Sequence, residues 1–329
     1  MKHTLKAGSF IIAATAILCA CSADRQTIDP DKTEIFYADP TIYTENGTYY
    51  LTGTRSGQPL GFALLESTDL ENWHHVAPDS MILQCGKSAF GTKGFWAPQI
   101  IKEDSEYWLT YTADEQTSFA KADSIKGRFS QNELKPIDGS EKNIDSFLFK
   151  DDDGKWYLYH VRFDNGNFLW VAEFDPATGH IVEGTLKNCF RNDQAWEDTG
   201  AYESAPIMEG PTVVKLDGKY YLFYSANHFM SPDYAVGYAV ADSPYGPWIK
   251  NPANPIIHRS IVGENGSGHG DIFTDMDGTR RYVYHVHYSD SVVSPRRTRI
   301  VTLDFSKDTV SNIYSIKAVP GSVIKPHVQ

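Results

Sequence analysis

Asp153-Gly-Lys-Trp-Tyr-Leu and Asp217-Gly-Lys-Tyr-Tyr-Leu are two copies of one motif, in which an Asx-Gly turn is followed by an aromatic strand. Such a turn between β-rich runs is a signal for a β-hairpin. Related turns begin at Asn46, Asp104 and Asp277. The copies recur roughly every 50 to 65 residues, a spacing typical of propellers and solenoids. Because five β-meanders can close into a ring, the sequence predicts an all-β fold, a five-bladed β-propeller.

A short apolar strand precedes each turn, and a chemically functional residue begins that strand. In a propeller the first strand of every blade lines the central channel, so these five residues are predicted to converge on one axis. They are Asp39, Trp96, Asp145, Glu209 and His269. Glu209 lies one position earlier than Asp39 in its copy. Because successive side chains point to opposite faces of a strand, Asp39 and Glu209 can share a cavity only if the strands begin irregularly, which Pro40 and Gly210-Pro211 favour.

Three carboxylates in one channel repel one another, and proteins accept this mainly where a metal or a reaction uses them. Cleavage of a glycosidic bond is such a reaction. It needs a protonated acid for the leaving oxygen and an ionised carboxylate that activates water or attacks the sugar. A third carboxylate beside the acid would raise the pKa of that acid. Trp96 is interpreted as a platform for a sugar ring or as a packed core residue, and His269 as a site residue or a structural one.

The amino-terminal segment is predicted to be a signal and not part of the fold. Its apolar run from Phe10 to Ala20 follows a basic start and is too short to cross a membrane as a helix. The run ends at Leu18-Cys19-Ala20-Cys21, which resembles the bacterial lipobox, where cleavage precedes a cysteine that becomes lipidated; an ordinary signal peptide is the alternative. We therefore expect a lipoprotein signal at 1–20, a polar tether at 21–34 and a single propeller domain at 35–329.

The formal net charge of the 329-residue chain is −12. This charge argues against nucleic acids and anionic lipid surfaces as partners, so a lipid anchor at Cys21 is the only membrane contact that we predict. Cys85 and Cys189 are the cysteines of the predicted propeller domain. One possible bridge is not a disulfide framework, and the sequence leaves open whether these two thiols pair or remain separate.

From about Tyr37 to Phe305 the chain resembles family 43 of the glycoside hydrolases. The members of this family are five-bladed propellers that trim polysaccharides containing arabinose and xylose. The motifs that carry the resemblance follow the family's order at the blade spacing. They are Ala38-Asp39-Pro40, Trp96-Ala97-Pro98, Asp145 with Phe147, Glu209-Gly210-Pro211 and Gly268-His269-Gly270.

The resemblance implies catalytic roles for the three carboxylates. Asp39 is expected to be the general base and Glu209 the general acid. Asp145 is expected to position the acid and to modulate its pKa. The family's reaction inverts the anomeric centre, which requires room for a water molecule between the acid and the base.

The resemblance also implies residues that bind substrate and metal. The expected substrate-binding residues are Trp96, Phe95 and Arg296, with Arg297 and Arg299 as alternatives to Arg296. His269 is expected to coordinate, through water, a calcium or other cation on the propeller axis. No cofactor is expected for the chemistry itself.

An exo-acting α-L-arabinofuranosidase that releases pentose or furanose sugars from plant-type polysaccharides is the favoured function. The absence of a carboxy-terminal β-sandwich, which shapes the pocket of many β-xylosidases, underlies that preference. A β-D-xylosidase or β-D-galactofuranosidase on the same scaffold is the alternative. A non-catalytic, lipid-anchored glycan-binding propeller is the alternative from another class. Retaining fructosidases share the architecture, but the Arg-Asp-Pro motif that they generally carry does not occur in this sequence.

The lipobox predicts the location of the protein, which is the outer membrane or cell surface, or the periplasm. If Cys21 carries the lipid, Cys21→Ala releases the protein from the membrane fraction of its native host. Fractionation and mass spectrometry of the mature amino terminus measure this. Unchanged fractionation of the variant, with no lipid mass on the wild-type protein, would contradict the prediction.

Overall fold

The computed structural model describes residues 33–76 and 80–329. Within these ranges the fold is almost entirely β, with one short helix, α1 (Arg259–Val262), and one 3-10 turn (Ala195–Glu197). No helix of the described ranges is both long enough and apolar enough to cross a membrane. The predicted signal peptide, Cys21 and residues 22–32 of the predicted tether lie outside the described residues.

The strands form five blades around a central channel, so the prediction of a five-bladed propeller is confirmed. The strands up to the end of blade II are β1 (Thr33–Glu34), β2 (Ala38–Glu45), β3 (Thr48–Thr54), β4 (Gly61–Ala63), β5 (Leu65–Ser67), β6 (Asn72–His75), β7 (Met81–Gln84), β8 (Trp96–Glu103), β9 (Glu106–Ala113) and β10 (Gln116–Ala122). Blade III contains β11 (Asn143–Lys150), β12 (Trp156–Phe163), β13 (Asn167–Asp175), β14 (His180–Ile181) and β15 (Lys187–Asn188). Blade IV contains β16 (Met208–Leu216), β17 (Lys219–Ala226), β18 (Ala235–Ala241) and β19 (Ile249–Lys250), and blade V contains β20 (Gly268–Thr274), β21 (Arg280–Val286), β22 (Arg297–Asp308) and β23 (Ile313–Ala318).

Blade I closes the ring with both ends of the described chain. Its sheet runs β1, β24 (His327–Val328), β6, β5, β3 and β2, and β4 pairs with β7 in a separate ribbon. The inner strands β2, β8, β11, β16 and β20 lie side by side around the axis, and β20 contacts β2. The prediction that the tether extends to residue 34 is wrong, because Thr33 and Glu34 pair in register with Val328 and His327.

Each inner strand is interrupted near its first residue by a β-bulge, and the bulged residue has a positive φ. We call these five the mouth residues: Asp39 (φ 47°), Ala97 (44°), Asp145 (56°), Gly210 (61°) and His269 (41°). A bulge inserts one extra residue and breaks the strict alternation of side chains between the two faces of a strand. The irregular strand beginnings that the sequence required are therefore present in every blade.

The blades pack against one another through their aromatic second strands. Tyr111, Tyr159 and Tyr221 on these strands are fully buried. Cys85 and Cys189 are free thiols, and each packs against a different hydrophobic cluster, the first beside Tyr111 and the second beside Tyr159. Of the two alternatives that the sequence left open, the structure therefore has separate thiols.

A network of buried ion pairs joins β1 to blade V. The side chain of Arg299 has no exposed surface, and its guanidinium donates to Glu264 (Nε to Oε2, 2.8 Å) and to Glu34 (Nη2 to Oε1, 2.8 Å). Arg297 also donates to Glu264, at 2.9 Å. Because Glu34 belongs to the strand that pairs with the carboxy-terminal β24, the network reinforces the closure of the ring.

Replacement of Arg299 by Met should destabilise the ring closure, since two carboxylates lose a buried partner. Removing one member of a buried pair typically costs about 3–5 kcal/mol, and we expect the lower end because Arg297 still faces Glu264. Urea unfolding of the variant measures this loss. The control is Lys155→Met, which removes the exposed pair with Glu173 and should leave the midpoint near that of the wild type. Equal midpoints for both variants would contradict the prediction.

Candidate active site

The mouth residues of three blades face one another at one end of the channel. His269 Nδ1 lies 3.4 Å from Asp39 Oδ1 and 3.8 Å from Asp145 Oδ2. The backbone N–H of Gly210 donates to Asp145 Oδ2 at 3.3 Å, which brings the adjacent Glu209 to the same mouth. All three carboxylates are less than one tenth exposed. The structure thus brings together three acids and one imidazole from four distant parts of the chain.

The two aromatic residues at the start of blade II, Phe95 and Trp96, lie elsewhere than the sequence suggested. Ala97, not Trp96, occupies the bulged mouth position of blade II, and Trp96 lies at the rim with 38% of its surface exposed. Phe95 is 4% exposed; its ring stacks on Tyr111 (centroids 5.9 Å apart) and meets Phe62 edge-on. The prediction that Phe95 contacts substrate is wrong, because its ring packs in the core between blades I and II. Trp96 retains an exposed face.

Asp39 is held as a carboxylate by its neighbours. Arg296 Nη1 donates to its Oδ1 at 3.1 Å, and the Thr54 hydroxyl donates to its Oδ2 at 2.6 Å. Burial by itself would raise the pKa of Asp39, but the guanidinium of Arg296 holds that pKa well below its usual range. Asp39 is therefore ionised throughout the neutral range.

Arg296 is itself positioned by a column of stacked rings. Its guanidinium lies 4.8 Å from the centre of the Phe229 ring, and its Nη1 is 3.1 Å from His285 Nε2. Phe229 stacks with His228 (4.7 Å), and His228 stacks with the half-exposed Tyr202 (4.2 Å). Stacking of this kind favours a flat guanidinium at one place. The column therefore runs from the protein surface down to Asp39.

The two alternatives to Arg296 have structural partners instead. Arg297 donates to Glu264 and to the carbonyl oxygen of His287, and Arg299 is fully buried against Glu264 and Glu34. Both guanidiniums are paired with carboxylates that are not mouth residues. Of the three arginines, Arg296 alone contacts a mouth residue.

Glu209 and Asp145 have the opposite electrostatic character to Asp39. Burial, with the charge of Asp39 as a smaller contribution, raises the pKa of Glu209 to about 7, although a hydrogen bond from Tyr234 (2.7 Å, to Oε1) opposes the rise. Burial and the charges of Glu209 and Asp39 raise the pKa of Asp145 well above its usual range. Because both carboxyls are buried and the charge of Glu209 acts on Asp145, the two cannot both ionise easily. The pair therefore keeps a proton near neutral pH.

The sequence profile for "Glycosyl hydrolases family 43" matches residues 33–310. The protein belongs to this family. The resemblance that the mouth motifs suggested is thus confirmed at the level of the family.

Individual relatives of this family 43 protein differ in their reported substrates. It is 30% identical over 277 residues to xylosidase/arabinosidase 43B of Humicola insolens, covering 76% of this chain but only 47% of that one. It is 26% identical over 290 residues to a β-D-galactofuranosidase of Aspergillus niger, with coverage of 81% and 78%. The crystal structure of an endo-1,4-β-xylanase from Bacteroides thetaiotaomicron superimposes with a TM-score of 0.82 at 37% identity, covering 91% of this chain and 99% of that one. The chain spans about half the length of the Humicola relative.

Sequence reasoning missed three residues of this family 43 site. Thr54 is the last residue of the aromatic strand β3, His285 is the last but one of β21, and both point at mouth residues. Alignment of the five aromatic strands would have indicated them, since each lies at the same register. Tyr234, the partner of Glu209, belongs to the loop before β18, where the sequence carries no repeated pattern.

The mouth residues and the residues that follow them line a cavity of about 20 Å³, which is room for one water molecule. Asp271 lies there and accepts hydrogen bonds from the hydroxyls of Thr41 (2.7 Å) and Thr212 (3.3 Å). Burial raises its pKa to about 6. In the described ranges no three His, Cys, Asp or Glu side chains are grouped so as to hold a metal ion directly. Burial lowers the pKa of His269, so its imidazole is neutral and able to face a water ligand.

Replacement of Tyr234 by Phe should raise the pKa of Glu209, because the lost hydrogen bond favours the charged carboxylate. A hydrogen bond to a charged group contributes about 1.5 kcal/mol or more, so we expect the pKa of Glu209 to rise by about one unit. ¹³C NMR of the glutamate carboxyl measures it. The control is Tyr224→Phe, which removes a similar bond, to Glu197 (2.7 Å), elsewhere in the fold. If the pKa of Glu209 falls in Tyr234→Phe, or changes equally in Tyr234→Phe and Tyr224→Phe, then Tyr234 does not stabilise the Glu209 carboxylate.

Proposed function

We propose that the protein is an inverting, exo-acting glycoside hydrolase that releases pentose or furanose sugars from plant-type polysaccharides, with α-L-arabinofuranosides as its main substrates. The observation that carries the proposal is the separation of charge at the mouth. One carboxylate, Asp39, is held ionised by Arg296, while Glu209 and Asp145 share a proton near neutral pH. An inverting glycosidase needs one carboxyl in each state.

Glu209 is the proposed general acid. Its pKa of about 7 keeps a large fraction protonated at neutral pH, and a pKa near the working pH suits proton transfer. The Tyr234 hydroxyl donates to Oε1, which leaves Oε2 to carry the proton. From Oε2 the proton passes to the glycosidic oxygen as the bond to the anomeric carbon breaks.

Asp39 is the proposed general base. It takes a proton from a water molecule that attacks the anomeric carbon from the face opposite to the leaving group, so the sugar is released with inverted configuration. Its Oδ2 accepts from Thr54 and its Oδ1 from Arg296. These two bonds restrict rotation of the carboxylate. Arg296 also presents a guanidinium at the mouth, where we propose that it binds hydroxyl groups of the sugar.

Asp145 is the proposed residue that positions Glu209 and modulates its pKa. Its Oδ2 accepts the N–H of Gly210, the residue that follows Glu209. A negative charge on Asp145 favours the protonated form of Glu209. The exposed ring of Trp96 at the rim is proposed to contact the sugar or its leaving group.

The choice of sugar rests on the relatives. An exo-α-(1→5)-L-arabinofuranosidase of Streptomyces avermitilis aligns with 94% of this chain at 25% identity, which supports the arabinofuranosidase proposal. Several relatives are β-xylosidases, among them one from Bacillus subtilis at 26% identity, so β-D-xylosidase is the second candidate. Turnover of chromogenic arabinofuranosides, xylosides and galactofuranosides distinguishes these from one another. Binding of glycans without turnover would identify a non-catalytic glycan-binding propeller instead.

We also propose that a calcium or other cation is held beside His269 mainly by water. A cation there would supply positive charge to the crowded carboxylates, and calcium accepts water among its oxygen ligands. Dialysis against a chelator should lower the melting temperature, and added calcium should restore it. Identical melting before and after dialysis would contradict the proposal. The lipid anchor at Cys21, and with it a location at the cell envelope, is proposed on the lipobox alone.

Glu209→Gln and Asp39→Asn should each reduce turnover, by about 10²–10⁴-fold, but in different ways. Glu209→Gln should matter least for substrates with a good leaving group, which need little protonation. Asp39→Asn should affect all substrates alike, because every reaction needs an activated water. In the wild type, kcat should fall as pH rises through about 7, where Glu209 loses its proton. Kinetics on aryl glycosides of graded leaving-group pKa measure this. Near-normal turnover of Asp39→Asn, or a first product with retained configuration by NMR, would contradict the assignment.

A further inference from the structure

Neighbouring blades are joined at the channel by a repeated hydrogen bond, which we call the latch. In four of the five junctions the backbone N–H of a mouth residue donates to a side chain on the second strand of the preceding blade. The pairs are Asp39 to His285 Nδ1 (3.1 Å), Ala97 to Thr54 Oγ1 (2.9 Å), Asp145 to Thr112 Oγ1 (2.9 Å) and His269 to Ser225 Oγ (2.8 Å). Each bond satisfies a buried N–H that the bulge removes from the sheet ladder.

The four acceptors occupy one structural position, the latch position. Each pairs across its own blade with the residue immediately before the mouth residue of that blade. The pairs are Thr54 with Ala38, Thr112 with Trp96, Ser225 with Glu209 and His285 with Gly268. Three of the acceptors are hydroxyls. The fourth is an imidazole whose pKa burial and the charge of Arg296 lower to about 3, which leaves the ring neutral.

Blade III departs from this pattern. Its latch position, opposite Ile144, is Val161, which is fully buried and has no polar atom. The mouth residue of the next blade, Gly210, therefore has no side-chain acceptor at that position. Its N–H donates instead to Asp145 Oδ2, at 3.3 Å. The one junction without a latch acceptor is thus the one between Asp145 and Glu209.

We propose that Val161 is a positioning residue: by offering no acceptor at the latch position, it directs the Gly210 amide to Asp145 and so orients that carboxylate beside Glu209. A threonine there, as in blades I and II, would take the Gly210 amide for itself. Asp145 would then lose the backbone N–H that fixes the orientation of its carboxylate.

The consequence for the chemistry rests on the proposed function. The Gly210 N–H favours the charged form of Asp145, against burial and the charges of Glu209 and Asp39. The proton that the pair shares is thereby biased towards Glu209, the proposed acid. Without that bond the proton moves towards Asp145, and a smaller fraction of Glu209 can act as the acid.

The direct test is an NMR titration of the Gly210 amide, which does not depend on activity. In the wild type its proton shift should follow the ionisation of Asp145, because a carboxylate accepts the bond. In Asp145→Asn this titration should disappear. In Val161→Thr the shift should become independent of pH, since a hydroxyl replaces the carboxylate. Val161→Ser gives the same test should the threonine variant fail to fold.

The kinetic test uses Val161→Thr on glycosides of graded leaving-group pKa. A charge-assisted hydrogen bond affects an equilibrium by on the order of tenfold. We therefore expect kcat to fall by on the order of tenfold for poor leaving groups and to change little for good ones. The matched control is Val171→Thr, which places the same buried hydroxyl in the same hydrophobic cluster, away from the junction. It should lower stability without altering the dependence on leaving group.

The outcomes separate the inference from the proposed function. If the Gly210 amide titrates identically in wild type and Val161→Thr, or does not titrate in the wild type, the inference is wrong. If it titrates as expected but no glycoside is turned over, the inference stands and the proposed function is wrong. If Val161→Thr and Val171→Thr respond alike to the leaving group, Val161 has only a packing role.

Discussion

The left-handed residue that begins each inner strand is the constraint on which the site depends. Four of the five mouth residues carry a side chain, and such a residue costs roughly 1–2 kcal/mol in this conformation. The bulge aims these side chains along the channel and leaves their N–H groups without ladder partners. Latch bonds at four junctions, and the bond from Gly210 to Asp145 at the fifth, satisfy those groups and tie each blade to the next. The bulges that strain the backbone of the mouth residues are therefore also what frees the N–H groups that join neighbouring blades.

The second feature that organises the site is the guanidinium of Arg296. Arg296 donates to Asp39, whereas on Asp145 and Glu209 its charge only partly offsets the effect of burial, and their pKa values stay raised. Charge is thereby divided unequally among three buried carboxyls, so one is ionised and the other two share a proton. The ring column from Tyr202 to Phe229 positions that guanidinium from outside the channel. Stacked planar groups thus connect Tyr202 at the surface to Asp39, the proposed general base.

The sequence predicted the elements that depend on local chemistry. The Asx-Gly turns located the hairpins, and the repeat of those turns set the number of blades. Asp39, Asp145, Glu209 and His269 were predicted at the mouth because they recur at the start of apolar strands. The one-residue offset of Glu209 was resolved by the bulge at Gly210. Phe95 was misplaced because an aromatic ring near a channel and one in a core have the same local sequence.

Other features depended on contacts between distant segments. Glu34 joined the fold because its strand met the carboxy-terminal strand, which no local pattern encodes. Tyr234 reached Glu209 from a loop without periodicity. In the sequence Val161 is an ordinary strand residue. Its role is visible only from the strand register, which shows that the residues at the latch position of the other four blades accept hydrogen bonds. The sequence by itself determined the turns, the strands and the functional groups that the chain contains. Only the tertiary structure decided which groups meet and which carry a proton, because burial and ion pairing arise where separate blades converge.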